Sequence, residues 1–156
     1  MTITFSTIKA AIKRHLSIIG KRTFTKDGQN QFSQITVSTA EDSIFEQYIV
    51  SGAQNVEAAL RQLLFQYTAT VPQSIEIVLR NTRGTTDFDT RCGDMITTYI
   101  TLFSVGEYLA MTHPEMAQKY QADAAGSMQS LMAYAYHKEP PKAATANPLA
   151  IDTTVS

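Results

Sequence analysis

The histidines are the residues whose type could most readily bind a metal. His15, His113 and His137 lie on three different predicted segments, and no His-x-x-x-His or His-Glu-x-x-His pair is present. A zinc site on a helix needs ligands that recur on one face. Zinc binding would therefore require the fold to bring these residues together with a carboxylate, and we interpret them as surface or helix-end histidines. We predict no metal and no other cofactor.

The segment that precedes the third predicted helix, residues 87–94, partly matches a calcium-binding loop. Asp87 and Asp89 fit its first two ligand positions, but Arg91 occupies the third. The glycine is also one place late, and Thr98 replaces the bidentate glutamate that such loops require. Aspartates are favoured at the positive end of a helix, which is our interpretation of this segment.

Nucleophilic chemistry has little support in the sequence. No Gly-x-Ser-x-Gly elbow, phosphate-binding loop or dinucleotide fingerprint is present, and the seven glycines are scattered singly. Cys92 could act as a nucleophile only if the fold placed a histidine beside it, so we interpret it as a small, semi-buried residue. We predict a protein that is not an enzyme. The alternative is an enzyme whose site is assembled only by tertiary structure.

Composition indicates one domain with a surface of low charge. The chain has 156 residues, of which 44% are hydrophobic and 17% charged. Its surface must then be covered largely by Thr, Ser, Gln and Asn, which we take as an indication of assembly. The net charge of −1 provides no global field for nucleic acid or an anionic membrane. A single cysteine excludes an internal disulfide bond.

The charges are distributed unevenly along the chain. The first thirty residues contain six basic side chains against Asp27, and the next thirty contain four acidic side chains and no basic one. We expect these two groups to pair, within the chain or between copies. The basic cluster lacks interleaved aromatic residues, so we interpret it as a solvated helix face and not as a DNA-binding site.

Two helices and a hairpin are predicted in the first half of the chain. Helix one runs from about Ser6 to Ile19, with Gly20 as its C-terminal cap. Residues 22–37 favour a protruding hairpin with Asp27-Gly28 as its turn, which is marginally stable unless another chain packs against it. Helix two begins with a capping box at residues 38–41 and continues to about residue 67. Gly52 within it predicts close approach of another helix.

The second half is predicted to contain a strand and two further helices. Pro72 ends helix two's region, residues 74–81 form a short strand that is half-buried or paired, and residues 83–94 form a loop. Helix three covers about residues 91–111. It contains few charges, but its threonines and a glutamate favour a buried bundle helix over a membrane span.

Helix four is predicted to start at Pro114 and to run to about Tyr136. Proline suits the first helical position, where its missing N–H costs nothing, and Glu115 suits the positive end of the helix. His113 is kept extended by the proline that follows it. We therefore interpret His113-Pro114-Glu115 as the corner between two packed helices and not as a catalytic site.

Beyond Glu139-Pro140-Pro141 the composition shifts to Ala, Thr, Pro and Asn. A tail of this composition is disordered by itself, so we expect a partner or a neighbouring copy to order it. The predicted fold is mainly α: a bundle of about four helices with a protruding β-hairpin and a short extra strand. It comprises a helical domain at residues 1–139 and an extended C-terminal tail at residues 140–156.

Three stretches resemble the head–tail connector, or adaptor, proteins of tailed bacteriophages. The first helix, FSTIKAAIKRHLSI, is similar to their short basic helix. The second similar stretch is the acidic-capped TAEDSIFEQYIVSGAQNVEAALRQLL. The third, which is similar to their closing helix pair, is ITTYITLFSVGEYLAMTHPEMAQKYQADAAGSMQSLMAYAYHKEPP. The 22–37 segment and the tail after residue 141 match no fixed pattern of that family.

The resemblance implies a non-enzymatic virion protein, made in the host cytoplasm and located in the neck at the head–tail junction. Such proteins form rings, commonly of twelve copies, that bind the portal protein and further neck or tail proteins. The ring lumen passes DNA without reading its sequence, and no membrane is involved. The alternative is a small cellular helical protein-interaction module. The residues predicted to contact partners are Lys9, Lys13, Arg14, Lys26, Asp27, Gly28, Pro140, Pro141, Asn147, Pro148, Leu149 and Ile151.

Overall fold

The computed structural model describes residues 1–22 and 39–137, with side chains described for residues 1–19 and 42–137. Along the chain, the elements are β1 (Thr2–Thr4), α1 (Phe5–Arg22), α2 (Thr39–Ala59), β2 (Leu64–Thr70), β3 (Ser74–Leu79), α3 (Phe88–Thr112) and α4 (Pro114–Ala135). Four helices and a small sheet confirm the predicted mainly α class. Residues 23–37 of the predicted hairpin and the tail at 140–156 lie outside the described residues, and Arg22, where the hairpin was predicted to begin, is the last residue of α1.

Helix α3 forms the centre of the bundle and packs against α4, α2 and α1. Ile96, Ile100, Val105 and Leu109 on this helix are fully buried. The apolar residues of α3 face helices on several sides, so this helix with few charges lies in the core. The prediction of a buried bundle helix is confirmed. None of the described helices has the length and apolar character needed to cross a membrane.

Successive helices run in opposite directions. Strand β1 leads directly into α1, so α1 starts at the sheet and its C-terminal end lies at the far end of the bundle. At the sheet end, the hydroxyl of Tyr136 donates to the carbonyl oxygen of Ala59 at 2.8 Å, which joins the ends of α4 and α2. At the far end, Tyr48 on α2 contacts Met111 near the end of α3.

The three strands form an antiparallel sheet in the order β1-β3-β2. The predicted strand at 74–81 is confirmed as β3, the central strand. Its alternate residues Ile75, Ile77 and Leu79 are buried against the helices, because successive side chains of a strand point to opposite faces. The sheet therefore closes one end of the bundle with a single apolar face.

Several predicted boundaries are wrong. Helix α2 ends at Ala59 and not near residue 67, because the chain turns and residues 64–70 pair with β3. Gly20 does not end helix α1, which continues to Arg22. The loop predicted at 83–94 ends earlier, since α3 begins at Phe88.

The close approach predicted at Gly52 is confirmed. A Cβ built on this glycine would lie 3.2 Å from Phe103 Cδ1 and 3.3 Å from Ile100 Cγ2, both on α3. The missing side chain therefore lets α2 and α3 approach more closely than an alanine would allow without displacement.

The corner at His113-Pro114 has the predicted form. Pro114 is the first residue of α4, and His113 has an extended φ of −143°. The backbone N–H of His113 donates to the carbonyl oxygen of Leu109, and its own carbonyl oxygen accepts from the N–H of Ala117. His113 thus connects the two helices through its backbone.

Candidate interaction surfaces

The predicted charge pairing between the first two helices occurs within the chain. Lys9 Nζ lies 2.6 Å from Glu46 Oε1 in a partly buried ion pair, and Lys13 Nζ lies 3.4 Å from Asp42 Oδ1. Two of the three basic residues of α1 that are predicted to contact partners therefore already pair with α2. Arg14, the third, is exposed.

The histidines occupy separate positions in the fold. The His15 ring meets the Tyr120 ring edge-on, with centroids 5.8 Å apart, which ties α1 to α4. His113 lies at the α3–α4 corner, and His137 is exposed after α4. Within residues 1–19 and 42–137, no group of three His, Cys, Asp or Glu side chains could hold a metal ion.

The acidic segment before α3 lies at a helix N-terminus, as predicted. Asp87 is the residue before the helix and Asp89 is in its first turn. The nearby Thr85 side chain is the main cause of the lowered pKa of Asp87, and the ion pair with Arg91 acts in the same direction. These contacts account for the aspartates as local helix-start residues.

Cys92 is fully buried in the core. Burial raises the pKa of its thiol to about 11, and the nearby Asp89 carboxylate adds to this effect. Since the thiolate is the reactive form, this environment disfavours nucleophilic chemistry. The predicted small residue is thus more deeply buried than expected.

We expect Cys92 to resist thiol reagents while the protein is folded. At pH 8 the native protein should react with Ellman's reagent much more slowly than the protein in denaturant, because both burial and the raised pKa suppress the exposed thiolate. The release of the coloured thiolate over time measures this difference. Equal rates in the two states would contradict the buried position.

One groove between α3 and α4 encloses about 360 Å³, and its lining includes Tyr99, Phe103, Ala125 and Met128 with Glu107 as its one ionisable carboxylate. An enzyme site normally combines a cavity with several converging polar groups. This groove instead has the character of a place where apolar side chains pack.

The outer face of α4 is almost uncharged over about three turns. Its exposed residues between Gln121 and Ala133 are mostly small, and Asp123 is the single charge among them. No atom lies within 4 Å of a Cβ built on Gly126. The exposed residues of this face are Gln121, Ala122, Asp123, Ala125, Gly126, Gln129, Ser130 and Ala133. We call this set the α4 face. Small residues of this kind let a second helix approach closely.

The second exposed feature is the outer edge of the sheet at β2. Phe65 on this strand is 67% exposed, and the Arg80 guanidinium lies 5.5 Å from its ring centroid. Val78 on the neighbouring strand and Val71 in the turn are also exposed. The strand thus combines apolar side chains with an edge that pairs with no other described strand.

Tyr67 on β2 has a buried hydroxyl that lacks a hydrogen-bond partner. Burial raises the pKa of this hydroxyl, and the Glu57 carboxylate acts in the same direction. An unpaired buried hydroxyl reduces stability, because it has lost its hydrogen bonds to water without replacement.

We therefore expect Tyr67→Phe to raise the free energy of unfolding of the single chain by about 1 kcal/mol. Tyr99→Phe is the matched control, because the Tyr99 hydroxyl accepts a hydrogen bond from Asn55 at 3.2 Å and its loss should be destabilising. Urea unfolding at low protein concentration measures both values. A destabilised Tyr67→Phe variant would show that the hydroxyl has a partner.

The remaining predicted contact residues fall on parts of the chain whose structure is not described. These are Lys26, Asp27, Gly28, Pro140, Pro141, Asn147, Pro148, Leu149 and Ile151. Sequence reasoning missed the α4 face and the β2 edge. The α4 face has a visible signal, a helical segment with small and amide side chains where a solvated helix normally carries charges. The β2 edge has no such sequence signal, because the pattern of residues 64–67 predicts a helix there and not a strand.

Comparison with known proteins gives no relative: no family model, curated protein or solved structure matches this chain.

Proposed function

We propose that this protein is a structural virion protein, a head–tail connector that forms a ring below the portal, links the capsid to the tail and lets DNA pass. The α4 face carries this proposal. Its exposed side chains are mostly small, with one charge over about three turns, which suits close packing against a neighbouring subunit. The sequence resemblance to connector proteins supports the same assignment.

A ring requires each subunit to offer two different surfaces, one to each neighbour. Such head-to-tail contacts close when the rotation between copies divides a full turn. The bundle suits this role because α3 is buried among the other helices and fixes their relative positions. A rigid subunit transmits a constant angle from copy to copy, which sets the curvature of the ring.

The electrostatics suit a passage for DNA better than a binding site. Lys9 and Lys13 are neutralised by Glu46 and Asp42, and the whole chain has a net charge of −1. Affinity for DNA rises with the number of phosphates that Lys and Arg neutralise. A lumen formed by such subunits would hold DNA weakly and let it slide.

Solution mass tests the proposal directly. Native mass spectrometry of the full chain, alone and mixed with the portal protein encoded beside it, should give a ring or a ring–portal complex. The neighbouring genes should encode portal and capsid proteins. A stable monomer in the presence of portal protein, or a gene set among cellular regulators, would contradict the connector and favour a cellular interaction module.

Deleting residues 142–156 should impair assembly and leave the bundle folded, because the described helices and strands all lie before residue 138. Circular dichroism should retain the helical signal of the full chain, and the mass should shift towards the free subunit. Normal assembly by the shortened protein would refute a role for the tail.

A further inference from the structure

Strand β2 forms an incomplete edge of the sheet. On the central strand, Ile75 and Ile77 are fully buried, but Tyr67 and Ala69, their partners on β2, are only half-buried. Burial thus decreases towards this edge on the face that packs against the helices. Another strand beyond β2 would cover these side chains and pair with the free backbone groups of the edge.

One side chain at β2 points the same way. Phe65 is 67% exposed at a position where the pairing with β3 is irregular, between Leu64 and Gln66. An added strand would supply apolar contact for its ring.

The C-terminal tail has a sequence that suits this edge. Leu149, Ile151 and Val155 alternate with other residues over 149–155, a pattern typical of a half-buried strand. Asp152 is the one charged residue of this segment. Arg61, three residues before β2, and Arg80, directly after β3, are both exposed near the start of β2. The negative charge of the segment thus complements the positive charges beside β2.

The tail also leaves the bundle at the correct end. Tyr136 is bonded to Ala59, and β2 begins five residues after Ala59, so the tail starts at the sheet end of the molecule. The eleven residues 138–148 can span up to about 35 Å, which is enough to reach an adjacent subunit. Residues 23–38 are the other segment whose structure is not described, and they follow the C-terminal end of α1. That end lies about 27 Å from the sheet, because α1 starts at the sheet and has 18 residues.

We propose that residues 149–155 of one copy add as a fourth strand to the β2 edge of a neighbouring copy. The choice of a neighbour over the same chain rests on the proposed ring, in which every subunit has an adjacent copy. Main-chain hydrogen bonds would provide affinity, and the alternating side chains would fix the register.

Disulfide trapping in the full-length protein tests this pairing. Thr68→Cys on the exposed face of β2 is combined in turn with Ala150→Cys, Asp152→Cys and Thr154→Cys, since all three tail positions belong to one face of the added strand. After mild oxidation, a non-reducing gel should show a ladder of covalent oligomers for at least one pair. Native Cys92 is buried and should not contribute.

The matched control replaces Thr68→Cys with Thr2→Cys. Thr2 is also an exposed threonine of the same sheet, but it lies on β1 at the opposite side. The ladder should exceed this control by at least about tenfold, because a docked tail has a millimolar effective concentration at one edge only. Circular dichroism of each variant verifies that the exposed substitutions leave the fold intact.

The outcomes separate this inference from the proposed function. A faster-migrating monomer, produced by a disulfide within one chain, would overturn docking on a neighbour. A ladder equal to the Thr2 control, or none in a protein that assembles, would overturn the pairing and leave the ring intact. A specific ladder from a protein that does not bind portal protein would support the pairing between the tail and β2 but would contradict the proposed connector function.

Discussion

Replacing Gly52 with glutamine is expected to lower the free energy of unfolding by about 2–4 kcal/mol. The new side chain would enter the α2–α3 contact, where a Cβ already lies 3.2 Å from Phe103 and 3.3 Å from Ile100. Overpacking of a core costs about 1–3 kcal/mol, and a buried amide without partners adds a similar amount. The better helix propensity of glutamine recovers only about 1 kcal/mol.

Gly126→Gln is the matched control, because the same change occurs within a helix but in open space. No atom lies within 4 Å of a Cβ at this position. The control should therefore stabilise the chain by about 0.5–1 kcal/mol through helix propensity alone. Urea unfolding at low protein concentration measures both changes. A Gly52→Gln protein as stable as Gly126→Gln would contradict the close contact between α2 and α3.

The largest effect on assembly is expected from Ala125→Arg. Ala125 lies on the α4 face and lines the α3–α4 groove. A guanidinium buried there loses its hydration, a cost that pairing with Glu107 in the same groove need not offset, and its length would hold the neighbouring helix away. The subunit concentration at half-assembly should rise at least about 100-fold, which corresponds to about 2.7 kcal/mol per contact.

Ala110→Arg provides the comparison for this variant. Ala110 is an exposed helical alanine as well, but it lies near the end of α3 and outside the α4 face. Sedimentation over a concentration series should show loss of assembly for Ala125→Arg and little change for Ala110→Arg. If both variants assemble like the unchanged protein, the α4 face is not an interface and the observation that carries the connector proposal is lost.

The helices were predictable where a single apolar stripe coincides with a clear start. In α4, Pro114 supplies the start and the apolar residues recur at helical spacing, so the predicted limits of Pro114 to Tyr136 differ little from the observed Pro114–Ala135. In α1 the apolar stripe was predicted correctly, but the helix does not end at Gly20 and continues to Arg22. Glycine permits a helix to stop without requiring it to do so.

The end of α2 was not predictable from local pattern. Leu60, Leu63, Leu64 and Tyr67 continue the helical spacing of α2, yet the chain turns after Ala59 and enters β2. Residues 64–70 also contain the aromatic and threonine residues that strands prefer, so both structures were locally possible. Pairing with β3 decided between them, and that contact is tertiary.

The candidate surfaces were less predictable than the fold. The acidic and basic groups were expected to pair, but only the structure shows that Lys9 and Lys13 pair within the chain. The open edge at β2 depended on recognising β2 itself. A surface formed between elements has no local sequence signal, because its residues come together only after the chain has folded.

The two ends of the bundle differ in structure, which gives the molecule a direction. The sheet lies at one end, where the chain leaves α4, and the connection from α1 to α2 leaves from the opposite end. Rotation about a ring axis keeps all sheet ends on the same side. A ring of these subunits would therefore have two unlike rims. Such a ring can join two different partners in a fixed order and cannot be inserted upside down without exchanging every contact.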